Sequence, residues 1–317
     1  MRFPAIGSVF ISIALCAPFA HGDTGNREPE SPSYFNGFDV SDSLIPVPSI
    51  DHGGPGKDGI PALDNPAFLR GEERDGQLQA SERVMGVSYE GVAKAYPIRI
   101  LDYHEVVNDR FGETALSITF CPLCGTGMVF KAKSGGRLHN FGVSGLLYNS
   151  DVLLYDRATE SLWSQLMKTA VTGPLKGEKL VQVPAQYTTW GHWREQYPDT
   201  LLLSPETGYH RDYSGELYAA YRDLPVVNYP TDHQDWRLPA KDWVFGVTRG
   251  ATSLAVPIAE LGPDPASLDL QLAGEAIEIR WSPRGEVARA FTADGEEIPV
   301  TASYWFAWVA FYPRTLV

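Results

Sequence analysis

Apolar residues recur along this chain in short runs broken by glycine, asparagine or paired charges. ALSITF (115–120), GMVFKA (127–132), RLHNFGVSG (137–145) and DVLLYDR (151–157) follow one another in this way. AIEIRW (276–281), EVARAFTA (286–293) and EEIPV (296–300) do the same nearer the C-terminus. Short runs rich in β-branched and aromatic residues, bounded by turn residues, predict strands. Helical spacing is confined to a few places. LDYHEVVNDRFG (101–112) predicts one amphipathic helix, in which His104 and Asn108, four apart, share a face. The expected fold class is therefore mainly β with short helices (α+β).

The pattern also repeats. VMGVSYEGVAKAYPI (84–98) aligns without a gap to VFGVTRGATSLAVPI (244–258), and both predict a strand, a tight turn and a strand. WGHWREQYPDT (190–200) echoes WFAWVAFYPRT (305–315), each a turn or two of helix stopped by Pro198 or Pro313. Two echoes in the same order predict an internally duplicated body with unequal halves. The first half, 77–230, carries more chemistry. The second, 231–317, is shorter and is expected to share one sheet with the first. Pro97 and Pro257 are expected at strand ends, where a missing N–H is tolerated.

The N-terminus departs from this pattern. Residues 1–22 have Arg2, an apolar stretch from Ile6 to Leu15, then small residues, as in a secretory signal. Cys16 would leave with it. Nothing later resembles a membrane span, so no transmembrane segment is expected in the mature chain, and the expected location is the periplasm or outside the cell. Residues 23–76 are dense in proline and glycine and predict an irregular arm lying along the body.

Composition narrows the partners. The 317 residues carry 39 acidic and 26 basic side chains, a net charge of -13. Nucleic acid is disfavoured, because phosphate contact needs clustered Lys and Arg. An anionic membrane surface is disfavoured for the same reason. An unspecified small molecule or redox partner is the open alternative.

Chemistry concentrates in three stretches of the first half. One is 101–112, where His104 or Glu105 is a candidate to face a cleft as ligand or proton acceptor. The second is CPLCGTG (121–127). Cys121 and Cys124 admit three uses: a disulfide, a redox dithiol or a metal site. A thioredoxin-like dithiol needs a helix starting at the first cysteine, whereas GTGMVFKA predicts a strand. A metal site needs histidine to complete it. His104 is the leading candidate among His52, His104, His139, His192, His210 and His233. The third stretch is GVSGLLYNSDVLLYDRATESLWSQL (142–166), from which Tyr148, Asn149 and Asp156 are candidates to position those ligands. GVSGL is not a nucleophile elbow, having the wrong last residue.

AYPIRILDYHEVVND, ITFCPLCGTGMVF, FGVSGLLYNSDVLLYDR, SLWSQL and WREQYPDT together resemble a family of bacterial exported proteins, domain of unknown function 3179. The likeness runs from about residue 77 to 317. It implies that many members carry threonine at the position of Cys124. That directs attention to Cys121 with His104 around copper or iron, or to Cys121 as a nucleophile. The leading expectation is an exported metal-binding protein, or a copper- or iron-dependent oxidoreductase. His104, Cys121 and Cys124 would hold copper, with iron or zinc as alternatives, and Cys121, His104 and Glu105 would carry any catalysis. A thiol-redox protein and a non-catalytic structural or binding module remain the other two classes.

Overall fold

The computed structural model describes residues 33–215 and 217–317. The expected leader, Cys16 and the first part of the arm lie outside them. Strand makes up 42% and helix 13%, so the protein is mainly β, as the short apolar runs predicted. Five larger sheets together resemble a five-bladed β-propeller. Among the described residues no helix is long and apolar enough to cross a membrane.

Two of the sheets are built alike. Arg83–Tyr89 pairs with Val92–Pro97, setting Val84 opposite Pro97 and Gly86 opposite Ala95. Trp243–Arg249 pairs with Thr252–Pro257, setting Val244 opposite Pro257 and Gly246 opposite Ala255. Pro97 and Pro257 each end their strand. On the other edge, Gln186–Thr189 sets Gln186 against Gly86, and Thr301–Tyr304 sets Thr301 against Gly246. Each of these strands runs straight into a seven-residue helix, Trp190–Gln196 or Trp305–Phe311.

The reason for the two glycines is then visible. The Trp193 ring lies flat on Gly86 and the Trp308 ring on Gly246, so closely that a Cβ at either glycine would overlap the indole. Each indole N–H donates to a threonine seven residues on, Trp193 to Thr200 Oγ1 at 2.8 Å and Trp308 to Thr315 Oγ1 at 3.0 Å. Both rings are fully buried. Burying about 200 Å² of indole at ~25 cal/mol per Å² stabilises each unit by roughly 5 kcal/mol.

Two further sheets fill the interval between Pro97 and Gln186. One is built on Val106–Phe111, Thr114–Cys121 and Thr126–Lys131, the other on Phe141–Tyr148, Asp151–Asp156 and Leu162–Ser164. The corresponding interval after Pro257 holds a single four-stranded sheet over Ala266–Ile298. The arm lies along this body and lends edge strands. Ile50–His52 joins the sheet of Phe141–Tyr148, Leu63–Asp64 that of Val106–Phe111, and Phe68–Leu69 that of Leu201–Leu203.

Two expectations are corrected. The helix expected over 101–112 is split: helix Ile98–His104 stops at Glu105, which takes the left-handed conformation (φ 56), and Val106–Phe111 is a strand. Val106, Val107 and Phe111 are fully buried, and the strand gives these β-branched and aromatic side chains a packed surface. His104 and Asn108 therefore share no helical face. The Asn108 amide instead donates to Asp64 Oδ1 at 2.9 Å and Phe141 O at 2.8 Å. The second correction concerns the shared sheet. Strands within 243–304 pair among themselves. The halves meet instead through packed side chains and turn contacts, such as Tyr304 N–H to Cys124 O at 2.9 Å.

Candidate functional site

Cys121 ends one strand and Thr126 begins the next, so the CxxC sequence is the turn of a hairpin. Gly125 takes φ 63 there, and a Cβ on it would come within 2.8 Å of the Trp243 ring. No helix follows Cys124, so the feature that lowers thiol pKa in thioredoxin-like sites is missing. Both cysteines are free and buried, packed with Trp163, Tyr304 and Trp305 in one core.

A second hairpin supplies the third group. Tyr148 pairs with Asp151, leaving Asn149 and Ser150 as a two-residue turn with φ 52 and 65. Two successive positive φ values are the mark of a type I′ hairpin, which asparagine in first position favours. The turn points Asp151 at the cysteines. The Cys124 thiol donates to Asp151 Oδ1 at 3.1 Å, and Leu166 N–H donates to Asp151 Oδ2 at 3.0 Å. The Cys121 thiol donates to Ser150 O at 3.7 Å. The two sulfurs and an Asp151 oxygen lie within 4.8 Å of one another.

The surroundings are acidic and dry. Asp102, Glu105, Asp151, Cys121 and Cys124 are all buried. Burial, then the Asp102 and Asp151 carboxylates, push Glu105 up to about 8. Burial pushes Asp151 up to about 7 against the hydrogen bonds it accepts from Cys124 and Leu166. Both thiols are raised above the ordinary range, chiefly by burial. Charge in this space is costly, and near neutral pH Glu105 and the two thiols hold protons unless a cation replaces them.

Residues 217–235 close over the site. Tyr221 Oη donates to Leu123 O at 2.8 Å, inside the CxxC turn. Arg222 donates to both oxygens of Asp102, at 2.8 and 2.6 Å. Ser150 Oγ donates to Tyr229 O at 2.9 Å. Burial and the nearby Glu105, Cys121 and Asp102 raise the Tyr218 phenol above its usual range.

Cys121, Cys124 and Glu105 thus come together, and several other candidates do not. His104 is turned elsewhere: Nδ1 hydrogen-bonds Pro61 O at 2.7 Å, and Nε2 is engaged by the Tyr213 hydroxyl. Among the described residues only Cys121, Cys124 and Asp151 converge as metal-ligating groups, and no histidine joins them. Asp156, expected to hold the imidazole or the cysteine turn, holds its own turn. It accepts from Thr159 N and Oγ1 at 2.9 and 2.6 Å, and from Trp163 Nε1 at 3.2 Å. Asn149 Oδ1 accepts from Asp232 N at 2.6 Å, and the Tyr148 hydroxyl is bonded to Asp232. Asn149 therefore shapes the Asp151 turn without reaching the thiols. Asp151 itself was legible as the residue after a two-residue Asn-Ser turn. Tyr218, Tyr221 and Arg222 carried no such signal, since their place depends on how an irregular segment folds back.

These features define a propeller-like β protein with a buried thiol–carboxylate cluster at the meeting of two hairpins. Residues 57–301 match the family described as "Protein of unknown function (DUF3179)", and the chain belongs to that family. No curated protein and no solved structure matches it.

Proposed function

We propose that Cys121, Cys124 and Asp151 bind one thiophilic metal ion, with Cu(I) first and iron or zinc as alternatives. The observation that carries this reading is the convergence of two sulfurs and a carboxylate oxygen within 4.8 Å. Thiolates select soft or borderline ions over calcium and magnesium. Burial holds these thiols and the Asp151 carboxyl in their protonated forms, so binding an ion here would release protons and strengthen as pH rises. The same raised thiols weaken the dithiol-exchange reading, since the thiolate is the nucleophile. An ion that changes oxidation state here would make the protein an oxidoreductase acting with a small molecule or redox partner. Zinc held by these three groups would keep a fourth position open, unlike a closed structural site. Glu105, buried beside the cluster with its carboxyl raised to about 8, is the candidate proton-transfer group for such chemistry. We further propose export to the periplasm or beyond, on the character of residues 1–22. The two matching hairpin–helix units support descent from one duplicated unit.

The test is anaerobic titration of Cu(I), against a chromogenic competing chelator, into tag-free reduced protein, with Zn(II) and Fe(II) in parallel. One ion per chain is expected. C121S and C124S should abolish tight binding, and D151N should weaken it by about 10-fold or more. H104A should leave affinity unchanged. Equal affinity in the parent and the C121S/C124S double variant would rule the reading out. Loss of two thiols on mild oxidation, with no metal bound, would favour the thiol-redox alternative.

A further inference from the structure

A cavity of about 520 Å³ lies beyond the segment that holds Asp151, and its wall has an unusual charge. Lys168 and Lys179 line it, and no aspartate or glutamate does. This occurs in a chain with 39 acidic side chains against 26 basic ones, where lysines readily find partners. Lys57, Lys94 and Lys176 do form ion pairs. Among the described residues Lys168 and Lys179 form none. Lys168 Nζ donates to neutral oxygens, Gln182 Oε1 at 3.3 Å and Thr248 Oγ1 at 3.1 Å. Lys179 Nζ donates to Thr169 Oγ1 at 2.7 Å. An ammonium has three donors, so N–H groups on both lysines are left for a ligand. The rest of the wall is mixed, with Met167, Leu180 and Phe311 apolar and Thr169, Gln182, Thr248 and Tyr312 polar.

We infer that this cavity binds a small organic carboxylate, its charged end between Lys168 and Lys179 and its apolar body against Met167, Leu180 and Phe311. The backbone agrees with a functional placement. Lys168 takes the left-handed conformation, φ 55, which side chains other than Gly, Asn and Asp adopt at a cost. Two like charges share the cavity, and burial together with Lys179 lowers Lys168 to about 8. A carboxylate seated between them would offset both penalties. The site is independent of the metal reading. Leu166 is common to the two, bordering the cavity while its amide holds Asp151.

Calorimetric titration of the full chain with sodium hexanoate, in low salt at pH 6.5, tests this. Hexanamide has the same body without the charge, and inorganic phosphate has charge without the body. Hexanoate should bind and hexanamide should not. K168M and K179M should each weaken binding by about 10-fold or more, the affinity equivalent of about 1.4 kcal/mol. K179M changes an exposed lysine, so it keeps the test decisive should K168M fail to fold. Binding should weaken above pH 8, as Lys168 loses its proton. The wall's other titratable groups are Lys179 and Tyr312. C121S/C124S should bind hexanoate like the parent, which separates this site from the metal centre. Absence of hexanoate binding at tens of millimolar, equal binding of hexanamide, or unchanged affinity in both lysine variants would overturn the inference. Phosphate binding without hexanoate binding would overturn it as well.

Discussion

The hairpin–helix unit around Trp193 and the one around Trp308 have the same frame and different contents. In each, a glycine lies under a tryptophan ring, the indole N–H reaches a threonine seven residues on, and a tyrosine ring stands 4.2 Å away. Between the hairpin and the helix-bearing strand, the first unit holds two five-stranded sheets and the second holds one four-stranded sheet. The thiol–carboxylate cluster lies wholly within the larger interval. The likeness shows what the frame does: it anchors a sheet by one buried indole, whatever the chain does in between. The difference shows where chemistry can accumulate, since strand turns in the interval are free to vary without disturbing that anchor.

The largest effect expected from this comparison is on stability. W193A and W308A should each cost about 3–5 kcal/mol, the range for emptying a buried aromatic site. Urea unfolding followed by circular dichroism would measure both. A gap of more than about 2 kcal/mol between them, set against that range, would break the likeness.

G86A and G246A should each cost about 1–3 kcal/mol, because the added methyl overlaps a ring with no room to retreat. Here the sharper check is the indole itself. Near-ultraviolet circular dichroism should change in both variants. An unchanged spectrum in either would mean that the ring is not seated on that glycine.

T200V and T315V remove the acceptor of a buried indole N–H while keeping the side-chain shape. Leaving such a donor unpaired costs about 1–2 kcal/mol. The two losses should agree, and a thermal melt of each variant beside the parent reads them.

A pH slope, on the order of 1 kcal/mol per pH unit, separates the units rather than matching them. Asp151 and Glu105 titrate in the folded metal-free protein at about 7 and about 8, above their ordinary carboxyl values. Between roughly pH 4 and pH 8 the folded state therefore binds more protons than the unfolded chain. Stability should be highest near the acidic end of that window and fall as pH rises through it. D151N and E105Q should each flatten the decline, and a tightly bound cation should flatten it too. Urea midpoints from pH 5 to pH 8 would show this. A rise in stability over that window in metal-free parent protein would contradict the placement of both carboxyls.

Much of the frame was legible before any coordinates. Gly86 and Gly246, the Trp–Tyr–Pro spacing, and the strand-like runs around the cysteines all read directly from residue pattern, because strand and turn preferences are local. The cluster was half legible. Cys121 and Cys124 announced themselves by spacing, and Glu105 by its polar neighbourhood. His104, near the thiols in sequence, does not join them in space. Glu105, in the left-handed conformation, ends the helix there and turns the following strand back. His104 instead meets Pro61 and Tyr213, from the arm and from residues far along the chain. Asp156 is the opposite case, since its partners are local, at Thr159 and Trp163.

Periodicity by itself determined that this is a mainly β chain with two matching hairpins, two tryptophan-bearing helices and a thiol pair in a turn. Those properties depend on backbone preference and on which face of a strand is apolar, and neighbours a few residues apart set both. Only the tertiary structure decided that Asp151, not His104, lies against the thiol pair, that residues 217–235 cover it, and that Lys168 and Lys179 share a cavity with no acid. These follow from which sheet edges meet, and that choice is made by burial summed over the whole core rather than by any segment alone.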